Sequence, residues 1–220
     1  MKLNKKVVIF DLDGTLLYTL EDLADSVNYA LSQFDCQVCS LSQIRSFVGN
    51  GVRKLIERAV DFGGNLLNDT DFEKCLSLFK EHYKNNMYNK TQPYTGVEEM
   101  LKDLKSIGIK TAVVSNKFDV AVKELCEYYF GDLIDIAVGE SDVICKKPEP
   151  DGILKVVKEF CVKVDDCVYI GDSEVDIQTA QNCKMDLISV DWGYKDKAFL
   201  LKNGADIIIS SSKELLDFLK

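Results

Sequence analysis

The sequence predicts an α/β protein: a doubly wound, Rossmann-like parallel sheet with one all-helical cap domain inserted into it. Two observations carry this. Short runs rich in Val and Ile recur along the chain, separated by segments whose apolar residues stand three and four apart. Continuous apolar strands alternating with amphipathic helices are what a parallel sheet buried on both faces requires. The rhythm then breaks from about Leu17 to Lys90, where helical patterns follow one another with no convincing strand between them.

The first strand is expected at Val7 to Phe10. The others are expected at Thr111 to Ser115, Ile134 to Gly139, Val168 to Gly171, Leu187 to Val190 and Asp206 to Ser210. Between them, Val97, Met100, Leu101 and Leu104, closed by Gly108, have the period of a helix, as do Ile153, Val156, Val157 and Phe160. The insertion carries helical patterns at Leu20 to Phe34, Val52 to Phe62 and Phe72 to Tyr88. The expected division is a catalytic core of residues 1–16 and 91–220 and a helical cap of residues 17–90, with Pro93-Tyr94-Thr95-Gly96 as hinge or linker. Open α/β sheets bind ligands outside the carboxyl ends of their strands, so an insertion that follows the first strand is expected to lie over the site.

Composition narrows the partners. Of 220 residues 46% are apolar, enough for a substantial core. With 36 acidic against 27 basic residues the formal charge is -9, and the basic residues are scattered, which argues against nucleic acid and anionic membranes. A small molecule is the expected partner, and an anionic one would need local cations to offset the protein's own field. Only Val7 to Phe10 is continuously apolar near the start, too short for a signal peptide, and no apolar stretch approaches the length of a membrane span. A cytoplasmic monomer or homodimer is expected. The eight cysteines are dispersed and read as reduced thiols; Cys36 and Cys39 form one CxxC, without a second pair and with His82 as the only histidine.

Four polar clusters stand beside these strands and helices. Asp11-Leu12-Asp13-Gly14-Thr15 follows the first strand and Ser115-Asn116-Lys117 the second. Lys146-Lys147-Pro148 precedes a helix, and Gly171-Asp172-Ser173-Glu174-Val175-Asp176 follows the strand at 168. The pattern points to phosphoryl transfer. A carboxylate at a strand end, Asp11, can attack phosphorus, and attack of one anion on another needs Mg²⁺ held by oxygen ligands, for which Asp11 and Asp172 are the natural candidates. Asp13, two residues on, would protonate the leaving oxygen and then activate water. Lys147, ahead of a rigid proline, offers a fixed cation, while the Ser115 hydroxyl and nearby amides would bind phosphoryl oxygens.

In order and spacing, Asp11-x-Asp13-Gly14-Thr15, Ser115-Asn116, Lys147-Pro148 and Gly171-Asp172-Ser173-x-x-Asp176 resemble the four motifs of the haloacid dehalogenase superfamily of phosphatases. The helical insertion is similar to the C1-type cap of that superfamily's phosphoglycolate phosphatase branch, in Leu20-Glu21-Asp22-Leu23-Ala24 and Val48-Gly49-Asn50-Gly51-Val52. The resemblance implies that Asp11 is the nucleophile and that Asp13 is acid and base, with its carbonyl on the metal. It implies Asp172, with Asp176, as the further metal residues, and Thr15, Ser115, Asn116 and Lys147 around the phosphate. Asp13 also separates this pattern from dehalogenases, which lack the second aspartate. The implied substrate is a small phosphorylated metabolite such as 2-phosphoglycolate. Pyrophosphate, nucleoside monophosphates, sugar phosphates and a phosphoglucomutase reaction stay open, and a receiver-like phospho-signalling module is the alternative of another class.

Plainer readings stand beside several of these. Ser173 with Asp176 three residues on is also a capping box. Asn116 would simply turn the chain, and Lys117 reads as a solvated loop charge. Gly49, Asn50 and Gly51 lead into a helix whose free amides would meet a substrate carboxylate, or merely start the helix. Arg53 lies on the polar side of that helix, facing either substrate or solvent. His82 reads as a helix-surface residue, and Trp192 as a loop-packing residue or part of the site's rim.

Overall fold

The computed structural model describes residues 3–64 and 67–219. The chain divides into two compact units, Met1–Leu17 with Pro93–Lys220, and Tyr18–Gln92. It begins with β1 (Val7–Phe10) and leaves the first unit through β2 (Leu17–Tyr18). Four helices follow: α1 (Leu20–Ser32), α2 (Leu41–Phe47), α3 (Val52–Phe62) and α4 (Asp69–Asn86). The return is through β3 (Gln92–Pro93), which pairs with β2. Then come α5 (Val97–Ser106), β4 (Lys110–Phe118), α6 (Asp119–Phe130), β5 (Ile136–Glu140), α7 (Asp151–Glu159) and β6 (Cys167–Gly171). The chain closes with α8 (Glu174–Cys183), β7 (Asp186–Val190), α9 (Lys197–Lys202), β8 (Ile208–Ile209) and α10 (Glu214–Leu219).

Among the described residues the main sheet has six parallel strands in the order β5-β4-β1-β6-β7-β8. Strand β1 lies at its centre, with Ile9 level with Ala112 on one side and Tyr169 on the other. All four of its residues are fully buried, as a continuous Val-Val-Ile-Phe run demands when helices cover both faces. Alternate residues select the face: Val7 and Ile9 join Ala112, Val114, Val138 and Ile153 in one core cluster. Each such side chain taken from water contributes roughly 1.5–3 kcal/mol toward offsetting chain entropy. From β1 the order grows outward to β4 and β5, then restarts on the other flank with β6, so the topological switch point lies beside β1. That is where open sheets of this kind hold their ligands.

The second unit is helical throughout, apart from the residues that pair at its ends. Helices α1 and α4 pack together, with Leu23, Val27 and Leu31 of the first and Leu76, Phe79 and Tyr83 of the second buried. The rings of Phe79 and Tyr83 stack with centroids 5.7 Å apart. Helix α3 buries the stripe Val52, Leu55, Ile56, Ala59 and Val60. Helix α2 is absent from the sequence expectation because only Ile44 of its seven residues is buried, so it has almost no apolar period. Its start is nevertheless written in Ser40 and Gln43, which form a complete capping box. Asp22 on α1 is buried and accepts from the amides of Lys90 and Thr91 and from the Thr91 hydroxyl, fixing the end of the unit to its beginning. Cys36 and Cys39 are free and buried, packing as small apolar residues. His82 is more than a surface residue: its Nδ1 lies 3.0 Å from Ser26 Oγ and its ring stacks on Tyr29. Among the described residues no helix is long and apolar enough to cross a membrane.

Candidate active site

Asp11 follows the last residue of β1, and its amide donates to the Ile170 carbonyl at 2.8 Å, so the sheet pattern still fixes its backbone. Its carboxylate is aimed by the next residue, since the Leu12 amide donates to Oδ1 at 2.7 Å. Asp172 follows the end of β6, and Asp176 stands in the first turn of α8, within three residues of its start. Carboxylate oxygens of Asp11, Asp172 and Asp176 lie within 4.8 Å of one another, and all three residues are buried. Lys147 reaches this cluster from the segment before α7. Its Nζ is 2.9 Å from Asp11 Oδ1, 2.7 Å from Asp176 Oδ1 and 2.9 Å from the Tyr169 hydroxyl. An ammonium has three donors, and here each has an acceptor.

Asp176 makes the helix-cap contacts of its motif while standing within the carboxylate cluster. Its Oδ2 accepts from the amide and hydroxyl of Ser173, completing a capping box, while its Oδ1 takes Lys147 and the Tyr169 hydroxyl. Asp172 is held differently. Oδ2 accepts from the Tyr194 amide at 2.6 Å, and the side chain fits a slot walled by backbone. A Cβ on Gly14, whose φ is +86°, would stand 2.3 Å from Asp172 Oδ2, and one on Gly193 would stand 2.4 Å from Asp172 Cβ. Glycine is required at both places by close approach, and at Gly14 by conformation as well. Trp192 ties the same two loops, its Nε1 donating to the Thr15 carbonyl at 3.1 Å.

Three carboxylates around one ammonium leave negative charge in surplus. Burial, then repulsion from Asp176, pushes Asp11 up to about 7 against the pull of Lys147. Asp172 is raised well above the carboxylate range by burial, then by Asp176 and Asp11. Burial lowers the proton affinity of Lys147, but Asp11 and Asp176 outweigh it and hold the ammonium above its ordinary value. The donor set fits a hard divalent cation such as Mg²⁺: buried carboxylate oxygens converge, and they resist ionising together unless positive charge is added. Asp11 and Asp172 would hold it with least rearrangement, because Asp176 is engaged elsewhere.

These shifts set a sign for stability. Asp11 ionises near 3.8 when unfolded and near about 7 in the fold, so between those values the folded state keeps a proton that the unfolded chain has released. Stability therefore falls as pH rises through this window, and the loss is complete above about 7. In chelator, Asp11→Asn is expected to gain on the wild type in melting temperature as pH rises from about 4.5 to about 7.5. A gain of about 3 °C or more corresponds to ~1 kcal/mol in a chain of this size. Thermal melts across that range check it, and a difference independent of pH would refute the assignment of the shift to Asp11.

The other sequence-derived residues divide. Ser115 is buried at this edge, with Oγ accepting from the Lys117 amide at 3.3 Å. Thr15 is buried, and its Oγ1 has no hydrogen-bond partner. Asn116 does more than turn the chain: its side chain donates to the Lys147 carbonyl and accepts from the Lys147 amide at 2.6 Å, so it holds that segment. Lys117 is not a solvated charge. It is buried, with Nζ 3.2 Å from Asp13 Oδ2. Gly49, Asn50, Gly51 and Arg53 belong to the helical unit. There Asn50 Oδ1 accepts from Arg58, Gly51 precedes α3 with φ at 84°, and Arg53 is half exposed, paired with Glu73 at 2.6 Å and lying over Phe72. Tyr169 and Tyr194 were not foreseen. Tyr169 sits in an apolar strand where its hydroxyl gives no periodic signal, and Tyr194 contributes a backbone amide, which residue type does not mark.

Buried carboxylates and a lysine gather at the switch-point edge of a doubly wound sheet, an arrangement that suits a hydrolase. A sequence profile described as haloacid dehalogenase-like hydrolase matches residues 8–190, and the chain belongs to that family. Within it the chain is a phosphatase of the phosphoglycolate phosphatase-like kind. It is 32% identical to the phosphoglycolate phosphatase of Colwellia psychrerythraea over 225 aligned positions covering all of both chains. It is 31% identical to that of Mesorhizobium japonicum, over 89% of this chain and 86% of that one. The crystal structure of a protein designated a phosphoglycolate phosphatase from Lactobacillus delbrueckii subsp. bulgaricus is similar with a TM-score of 0.93, at 36% identity over 99% of each chain.

Proposed function

We propose that the chain is a Mg²⁺-dependent phosphomonoesterase that passes through an aspartyl phosphate on Asp11, with 2-phosphoglycolate as its substrate. The observation that carries this reading is the Asp11 carboxylate, fixed at the end of β1 with the Lys147 ammonium 2.9 Å away. When bound, Mg²⁺ would offset the repulsion between the Asp11 carboxylate and the phosphoryl oxygens. Asp11 attacks phosphorus, a bond forms from its Oδ, the ester P–O bond breaks, and the leaving oxygen takes a proton from Asp13. Water then attacks the same phosphorus and gives its proton to Asp13. The bond to Asp11 breaks, releasing inorganic phosphate and restoring both carboxyl groups. Lys147 and the Ser115 hydroxyl bind phosphoryl oxygens, and the Asp13 carbonyl would join Asp11 and Asp172 in holding the metal. Asp176 and Asn116 hold Lys147.

The substrate rests on full-length likeness to proteins named phosphoglycolate phosphatase. The groups around Asp11 address only the phosphoryl group, which every candidate ester shares. Recognition of the glycolate carboxylate is proposed for the backbone amides of Gly49 to Gly51, with Arg53 as second candidate. Phosphate release from 2-phosphoglycolate, pyrophosphate, a nucleoside monophosphate and a sugar phosphate tests the choice. The highest kcat/KM is expected for 2-phosphoglycolate, by about tenfold or more, the worth of one positioned charge-assisted hydrogen bond. A higher value for another ester replaces the substrate, and failure to turn over p-nitrophenyl phosphate repeatedly replaces the enzyme with a phospho-signalling module.

A further inference from the structure

We infer that Lys117 is a positioning residue for the reaction: its buried ammonium holds the Asp13 carboxyl group where it serves the leaving oxygen. This rests on the reading of Asp13 as acid and base. The Lys117 side chain is 2% exposed and Nζ stands 3.2 Å from Asp13 Oδ2. A buried ammonium needs a charged or polar partner, and the two groups fix one another.

The backbones on which they stand differ. Strand β4 runs on to Phe118, beyond the point where its pairing with β1 ends at Val113. Lys117 stands there just before Phe118, whose pairing with Glu140 resumes the ladder to β5 after a register shift. The Lys117 amide donates to Ser115 Oγ, and its carbonyl lies against Gly139 of β5, where an added Cβ would come within 2.6 Å of it. Asp13, by contrast, stands in the turn between β1 and β2, where an isolated bridge pairs it with Leu17. The sheet therefore holds the lysine, and the lysine restrains the carboxyl group on the turn. Besides Asp11, Cys126 senses the Asp13 charge. Its thiol is pushed up to about 12, by burial first and Asp13 second, so it stays neutral. Displacing a proton donor by about 1 Å costs on the order of 10² in rate, which is what this pairing prevents.

A leaving-group comparison separates this role from a structural one. The esters are the best alkyl phosphate of the panel, whose leaving oxygen needs a proton, and p-nitrophenyl phosphate, whose phenolate does not. The quantity is kcat/KM, which ends at phosphoryl transfer and excludes the shared hydrolysis of the aspartyl phosphate. Lys117→Met is expected to lower it about ten- to a hundredfold on the alkyl ester and less than about threefold on the aryl ester. Added to Asp13→Asn, the same change is expected to cost less than about threefold more on either ester, because the group it positions is gone. Lys117→Gln and the Asp13→Asn/Lys117→Met double variant, which leaves neither charge unpaired, supply the comparison if Lys117→Met does not fold. Equal losses on the two esters, or a full further loss on top of Asp13→Asn, would overturn the inference while leaving Asp13 as the acid. If Asp13→Asn itself shows no split between the esters, the acid assignment falls, and the role of Lys117 with it.

Discussion

Asp11→Asn is expected to lower turnover by about three orders of magnitude or more, from the combined loss of nucleophilic and electrostatic contributions. The substitution keeps the size of the side chain and an oxygen for the Leu12 amide, which now donates to Oδ1 at 2.7 Å. It removes the charge that attacks phosphorus and one partner of Lys147, which retains Asp176 and Tyr169. The variant is therefore expected to fold while failing to react, a combination that distinguishes a nucleophile from a core residue. Steady-state assays on the best ester, beside circular dichroism, measure both properties. Activity above about a tenth of the wild-type rate would exclude Asp11 as the attacking group, since even one oxyanion-type contact is worth ~10².

Removal of divalent metal is expected to suppress activity at least about a hundredfold, with Mg²⁺ restoring it. The reason lies in the charge balance at the strand edge, where Asp11, Asp172 and Asp176 share one lysine and the first two resist ionisation. A phosphate ester would add more negative charge to that cluster. Ca²⁺ is expected to inhibit, because it is larger and tolerates looser coordination than the octahedral geometry Mg²⁺ demands. Assays after treatment with excess chelator, then with each ion added back, decide the matter. Undiminished turnover in chelator would eliminate the metal-assisted mechanism.

The sheet was readable because its strands are buried on both faces. Val7–Phe10 and Cys167–Gly171 are nearly uninterrupted apolar runs, and the helices between them carry a strong three-four period. The place of the Asp11 carboxylate was readable for a related reason: a polar residue that ends an apolar strand has a position fixed by the strand. Residues whose role depends on a distant partner were less legible. Lys117 looked solvated because β4 extends beyond its apolar stretch and carries polar residues to the site. Asn116 and Tyr169 both act on Lys147 across more than twenty residues of chain, and no local spacing records such contacts. Helix α2 escaped because its evidence is a cap and not a stripe.

The slot around Asp172 joins two loops that are far apart in sequence. Gly14 belongs to one and Gly193 to the other; each presses on the same carboxylate, and Trp192 bonds across to Thr15. The side chain thus acts as a keystone between the turn that carries Asp13 and the segment after β7. Neither loop can open locally without disturbing the hold of the other on Asp172, so their opening free energies are linked. Any ion that binds through Asp172 in the folded state would stiffen both loops at once, by an amount that grows with the logarithm of its concentration over its dissociation constant. Metal loading and ordering of the loop that carries Asp13 would in that sense be a single equilibrium.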